Sequence, residues 1–123
     1  MSDFTKEDIT IFKRVIENYN TIKERIDDII KHGSTIKDIK DFVENILKYD
    51  TTNVDLDNDN KYFDFNCEDM TLSVYEDVCG VYLGDTIEVW DDKTNSYLGY
   101  FNTINEIKAI VKHYEEKESV NNE

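Results

Sequence analysis

The stretch Asn53-Val-Asp-Leu-Asp-Asn-Asp-Asn-Lys-Tyr-Phe-Asp-Phe65 puts Asp55, Asp57 and Asp59 at alternate positions, with a fourth carboxylate at Asp64 beyond an aromatic pair. Alternating carboxylates are the raw material of a calcium loop, of a surface for a basic partner, or of a solvated turn. An EF-hand requires glycine at loop position 6 and a carboxylate at position 12. Counting from Asp55, these places hold Asn60 and Asn66; counting from Asn53, Asp64 falls at position 12 but Asn58 stands where glycine belongs. An irregular calcium site built from Asp55, Asp57, Asp59 and Asp64 is the most that a metal reading supports.

Other chemistries find less to work with. Cys67 and Cys79 form no CxxC pair and have no neighbouring histidine, so two small, half-buried thiols are expected. His32 falls in the last turn of a helix, where the dipole favours a cation, and His113 on another helix; neither is placed by sequence beside a cysteine. Glycine-rich phosphate loops are absent with only four glycines in the chain. The expectation is a protein that is not an enzyme and uses no cofactor.

The elements that must position these side chains are legible in the periodicity. Residues 6–32 read as a helix capped by Thr5, with Glu7 and Asp8 in its first turn, and ended at Gly33. Ile9, Phe12, Ile16, Tyr19, Ile26 and Ile30 form a stripe that Ile11, Val15, Ile22 and Ile29 widen to about 160° at 100° per residue. Such an arc either lies between a second helix and a sheet or gives part of itself to a homodimer seam. Ser34 or Thr35 caps a second helix over about 35–49, completing a helical hairpin. The period then changes to two, with Phe63/Phe65, Leu72/Val74, Val81/Leu83, Ile87/Val89 and Leu98/Tyr100 at alternate positions. Asp91–Ser96 supply the turn of the clearest hairpin, and Thr103 with Glu106 read as a capping box opening a last helix. The expected fold is α+β in the order ααββββα: a helical hairpin, an antiparallel meander of four to five strands and a C-terminal helix, all helices on one face of the sheet. One domain over 1–117 and a polar tail over 118–123 complete the expectation.

Charge is distributed unevenly along this order. Residues 1–49 hold ten acids and nine bases, and residues 93–123 hold five and four, each netting −1. Residues 50–92 hold thirteen acids against Lys61 alone, a net of −12 within a total of −14. Carboxylates at this density repel one another and weaken a fold, so a compensating partner is expected. If the apolar alternation faces the helices, Tyr62, Asp64, Thr71, Tyr75, Tyr82, Glu88, Trp90 and Tyr97 face outward. Carboxylates interleaved with aromatic rings suit Lys and Arg, which the rings stack against and the acids neutralise. Nucleic acid is disfavoured as a direct ligand because its phosphates need the opposite charge. No apolar run approaches the roughly 18 residues of a membrane span, and the start MSDFTKEDIT has no signal-peptide pattern, so a cytoplasmic protein is expected.

A Pro-free, Asn/Asp/Ile/Lys-rich chain whose residues 50–92 form an acidic, tyrosine-studded sheet resembles the small anti-CRISPR and anti-restriction proteins of the DNA-mimic type, encoded by phages and mobile elements of low-GC bacteria. The resemblance is one of charge and composition. It implies a stoichiometric inhibitor, acting in the cytoplasm of a bacterial host, that occupies the basic DNA- or PAM-reading groove of a CRISPR effector or similar enzyme. Phosphate surrogates would come from Asp55, Asp57, Asp59, Asp64, Asp69, Asp77, Asp85, Glu88, Asp91 and Asp92, and anchors from Tyr62, Tyr75, Tyr82 and Trp90. The alternatives are an immunity-type or adaptor protein that neutralises a basic protein without imitating DNA, and a weak calcium-binding module.

Overall fold

A computed structural model of the chain describes residues 4–121, with side chains through residue 118. Helix α1 (Lys6–Lys31) begins in a capping box between Thr5 and Asp8. It ends where Gly33, at φ +82°, donates its amide to the Ile30 carbonyl at 2.9 Å. Helix α2 (Ile36–Asn45) begins in a second box, Thr35 with Asp38, and stops short of the expected residue 49. In both boxes an aspartate takes the place more often held by Glu or Gln. Strands β1 (Asp50–Asp55), β2 (Lys61–Cys67), β3 (Met70–Asp77), β4 (Gly80–Leu83), β5 (Ile87–Asp91) and β6 (Ser96–Phe101) follow, and α3 (Ile104–Asn121) closes the order.

The expected α+β architecture is therefore present, with a six-stranded antiparallel sheet. Strand β1 lay outside the expectation, because Asp50-Thr-Thr-Asn-Val-Asp55 carries no apolar alternation; it owes its place to pairing along β2. The sheet has five positions nonetheless, since β4 and β5 both pair with the same edge of β3. Between the pairs Val74/Leu83 and Thr71/Glu88, β3 advances three residues while its partner advances five. β4 and β5 are thus one strand broken by a two-residue bulge around Gly84, whose amide still donates to the Ser73 carbonyl at 2.8 Å. The result is an antiparallel meander whose central strand is β3.

Alternation sends Phe63, Phe65, Leu72, Val74, Ile87 and Val89 to one face, where all six are fully buried beneath the helices. Helix α1 contributes Phe12, Val15, Tyr19, Ile22 and Ile26 to this core, α2 contributes Ile36, Ile39 and Val43, and α3 contributes Ile107 and Val111. Rings link the layers, with Phe12 edge-on to Phe4 at 4.8 Å and to Phe101 at 5.7 Å. Most of the wide arc of α1 is buried within the chain, where the helix is shared among α2, α3 and the sheet, while Ile16, Ile29 and Ile30 are partly buried. Arg25 covers the ring of Phe42, and Lys13 meets Glu115 at 3.6 Å.

Two local expectations are corrected. Glu106 does not close a box on Thr103; its carboxylate accepts from the backbone amide of Asn102 at 3.1 Å, one residue earlier. The stretch read as a polar tail from 118 onward continues α3 to Asn121, and residues 122–123 lie outside the described part.

The Gly84 bulge gives the first prediction. A Cβ at residue 84 would stand 2.6 Å from Cε2 of the Tyr75 ring and 3.3 Å from the Ser73 carbonyl. Gly84→Ala is expected to cost about 1–2 kcal/mol and to rotate the Tyr75 ring away, read as a lowered denaturation midpoint and altered near-ultraviolet dichroism. Unchanged stability and dichroism would show that the bulge accommodates a methyl group.

Candidate binding surface on the open face of the sheet

The face of the sheet turned away from the helices is uncovered, and register fixes its residues in rows. Tyr62 pairs with Tyr75 and Tyr75 with Tyr82, giving a ladder of three rings with centroids 6.3 and 5.6 Å apart. In the next row Thr52 pairs with Asp64 and Asp64 with Ser73. Asn66, Thr71, Glu88 and Tyr100 form a third row, headed by Asp50 opposite Asn66. Trp90 and Tyr97 pair in the last, with centroids 4.6 Å apart. Ser73 donates its hydroxyl to Asp64 at 2.5 Å, and the Asn53 amide donates to the same carboxylate at 3.1 Å. Desolvation first, then the charge and hydrogen bond of Glu88, push the Tyr97 hydroxyl above its usual range.

Two depressions mark this face. One, of about 280 Å³, is lined by Tyr62, Asp64, Thr71, Ser73, Tyr75, Thr86, Glu88 and Tyr100. The other, a larger groove of about 550 Å³, is lined in part by Asp50, Asp64, Glu68, Glu88, Trp90 and Asp92. Among the described residues, no Lys, Arg or His lines either one. Among the described residues, no side chain bonds to the carboxylates of Asp50 or Asp92.

The outward set read from periodicity is therefore brought together at Tyr62, Asp64, Tyr75, Tyr82, Glu88 and Trp90, with Asp92 joining from the following turn. Asp77 sits at the end of the tyrosine ladder, accepting from the Tyr82 hydroxyl at 3.3 Å. The rest are placed elsewhere. Asp69 is only 4% exposed: Arg14 donates to it through Nε and Nη2, each at 3.2 Å, and the Asp92 amide at 3.0 Å, so it is a structural carboxylate rather than a phosphate surrogate. Asp85 lies in the bulge on the helical side, where its charge acts on Tyr19 and Lys23 of α1. Asp91 caps its own turn through the amides of Lys93 and Thr94. Burial opposes its ionisation, but the Thr94 side-chain bond, those two amide bonds and Arg14 outweigh it and hold the carboxyl below its usual range. Asp55 likewise folds back on its own turn, accepting from the Asp57 amide at 3.2 Å, while Asp57 and Asp59 are exposed at the loop tip.

The calcium alternative loses its geometry here, since Asp64 is turned to the open face and Asp55 to its turn. Among the described residues no group of three or more His, Cys, Asp or Glu side chains is arranged to hold a metal ion. The thiols are not alike: Cys67 is buried, which pushes its pKa up, and Cys79 is exposed in the β3–β4 turn.

Asp50, Glu68 and Tyr100 belong to the surface but were not in the expected set. Asp50 required the unrecognised strand β1. Tyr100 was read as a core partner of Leu98; a bulge between the pairs Val89/Gly99 and Trp90/Tyr97 leaves Leu98 unpaired and reverses the alternation. Both Tyr97 and Tyr100, 51% and 56% exposed, consequently stand on the open face, while Phe101 is buried.

Five like charges on one uncovered face carry an energetic consequence. Raising salt from about 20 mM to about 0.5 M shortens the Debye length from about 20 Å to about 4 Å, and is expected to raise Tm by about 3–5 °C. Glu88→Gln should raise Tm at low salt and shrink the salt response. A Tm indifferent to salt would mean that the face is not under electrostatic stress.

Fold and surface together define a small α+β protein with one helix-covered sheet face and one acidic, aromatic face left open. No protein-family model, curated protein or solved structure matches the chain. Among the described residues no helix is long and apolar enough to cross a membrane.

Proposed function

We propose that this protein is an acidic binder that inhibits a nucleic-acid-binding enzyme by occupying its basic groove, in the manner of anti-CRISPR or anti-restriction proteins. The observation that carries this reading is the open sheet face, on which carboxylates alternate with tyrosine and tryptophan and no basic side chain lines the depressions. A basic groove meeting this face gains steered association and counterion release, and its Lys and Arg stems gain aromatic surface.

Placement in the fold narrows the size of what is imitated. The twelve net charges of residues 50–92 would equal roughly 20 Å of duplex, at about 1.7 Å per charge. Asp69 and Asp91 are held in bonds within the fold and Asp85 lies on the helical side. The groove itself is lined by Asp50, Asp64, Glu68, Glu88 and Asp92, with Glu68 also accepting from Asn18 of α1. Five charges correspond to about 9 Å, or between two and three base pairs. That is the size of a short recognition motif such as a PAM rather than of a long duplex.

The test is DNA cleavage by a panel of purified CRISPR effectors and restriction endonucleases with and without the protein, followed by competition with short duplex DNA. Stoichiometric inhibition of one enzyme, with duplex DNA and protein excluding each other, is the expected result. An enzyme that binds the protein and duplex DNA together would replace this reading with the immunity-type or adaptor one, and an uninhibited panel would overturn it.

A further inference from the structure

We infer that the smaller depression on the open face is a receptor for one arginine side chain of the partner; this rests on the functional reading above and names the group that the face recognises. At about 280 Å³ it falls just below the roughly 300 Å³ at which pockets for drug-sized ligands begin. It suits one extended side chain better than a free small molecule.

Its composition selects the side chain. Thr71 and Ser73, two residues apart on β3, form the floor. Tyr62 and Tyr75 close one end and Tyr100 the other, while Asp64 and Glu88 stand on opposite sides of β3. Asp64 is opposite Ser73 and Glu88 is opposite Thr71, so the two carboxylates are offset diagonally by two strand spacings and one two-residue step. Those steps separate their Cα atoms by about 12 Å. Side chains reaching inward from both leave a gap on the scale of a guanidinium with a hydrogen bond on each side.

The acids retain acceptor capacity for it. Asp64 already accepts from Ser73 and Asn53, and Glu88 from Tyr97, yet an ionised carboxylate offers about four lone-pair sites. The planar guanidinium can stack on tyrosine while donating in two directions, whereas the ammonium of lysine is a compact, strongly hydrated point charge. The pocket therefore discriminates arginine from lysine by shape as well as by charge.

The experiment is an NMR titration of the whole protein with Nα-acetyl-arginine-N-methylamide, and in parallel with the blocked lysine and the blocked, uncharged citrulline. Arginine is expected to give saturable shifts of the Thr71, Ser73 and Glu88 amides. Lysine should bind about tenfold more weakly, and citrulline should shift nothing. Glu88→Gln, which keeps the shape of the pocket, should weaken arginine binding at least about fivefold, with the remaining spectrum confirming the fold. Arginine and lysine titrating alike, or shifts spread over Asp57 and Asp59 at the distant loop, would reduce the pocket to general attraction and overturn the inference. Enzyme inhibition that survives such a result would leave the functional reading standing, whereas arginine binding without inhibition of any enzyme would sink that reading and not the pocket.

Discussion

Asp69→Ala is expected to destabilise the protein by about 2–3 kcal/mol, with a lowered denaturation midpoint and an unchanged m-value. The carboxylate joins three parts of the chain: its own β2–β3 turn, Arg14 of α1, and the amide of Asp92 after β5. The backbone carbonyl of the same residue accepts from the Trp90 amide at 2.8 Å. Breaking a wholly buried pair costs about 3–5 kcal/mol. Here the Arg14 side chain is 44% exposed and returns to water, so the cost falls below that range. What stays uncompensated is the Asp92 amide, which loses its acceptor in a half-buried site. Asp69→Asn keeps an acceptor there and is expected to recover about 1 kcal/mol. A double-mutant cycle with Arg14→Ala should give a coupling of about 1–2 kcal/mol. Trp90, the single tryptophan, reports the same event by fluorescence, because its backbone hangs from residue 69. An Asp69→Ala protein within about 0.5 kcal/mol of the parent would show that the Asn18–Glu68 bond and the strand ladder hold the turn alone.

Asp64→Lys combined with Glu88→Lys is expected to lower affinity for the proposed target enzyme by at least about 100-fold near 0.1 M salt, with the difference shrinking as salt rises. Both side chains line both depressions, so the pair reverses charge where the two sites meet. Like charges brought against a basic groove cost several kcal/mol, of which 100-fold uses about 2.7 kcal/mol. Glu24→Lys with Asp28→Lys is the control, since both residues are exposed on α1, away from the sheet's open face, and the change in net charge is the same. Equal losses from the two double variants would mean that overall charge, rather than the face, governs binding. Asp64→Lys also gives up the bonds from Ser73 and Asn53, at about 1 kcal/mol, and relief of repulsion on the face offsets part of that. The spectrum of the unbound variant separates lost contact from lost fold.

The sequence by itself determined the capped N-terminus at Thr5, a second cap at Ser34 or Thr35 that the structure resolves to Thr35, the stop at Gly33, the strands carrying Phe63, Leu72, Leu83, Ile87 and Tyr97, and the concentration of acid between residues 50 and 92. These are local properties: a cap is satisfied within three residues, and a helical or strand period is written in neighbouring side chains. Only the tertiary structure decided which acids stand on the open face of the sheet. Asp69 and Asp64 look alike in sequence, yet one is withdrawn by an arginine 55 positions earlier and the other is held in the open by a serine across the ladder. The bulge at Leu98 moved Tyr100 from the expected core to the surface, and the bulge at Gly84 kept Tyr82 and Glu88 on one face while joining β4 and β5 into a single position of the sheet. Period-two reading assumes an unbroken ladder, and one extra residue reverses every side chain beyond it. Whether that residue is accommodated depends on pairing between distant segments, and for that reason the composition of the face was legible in the chain while its membership was settled only by the fold.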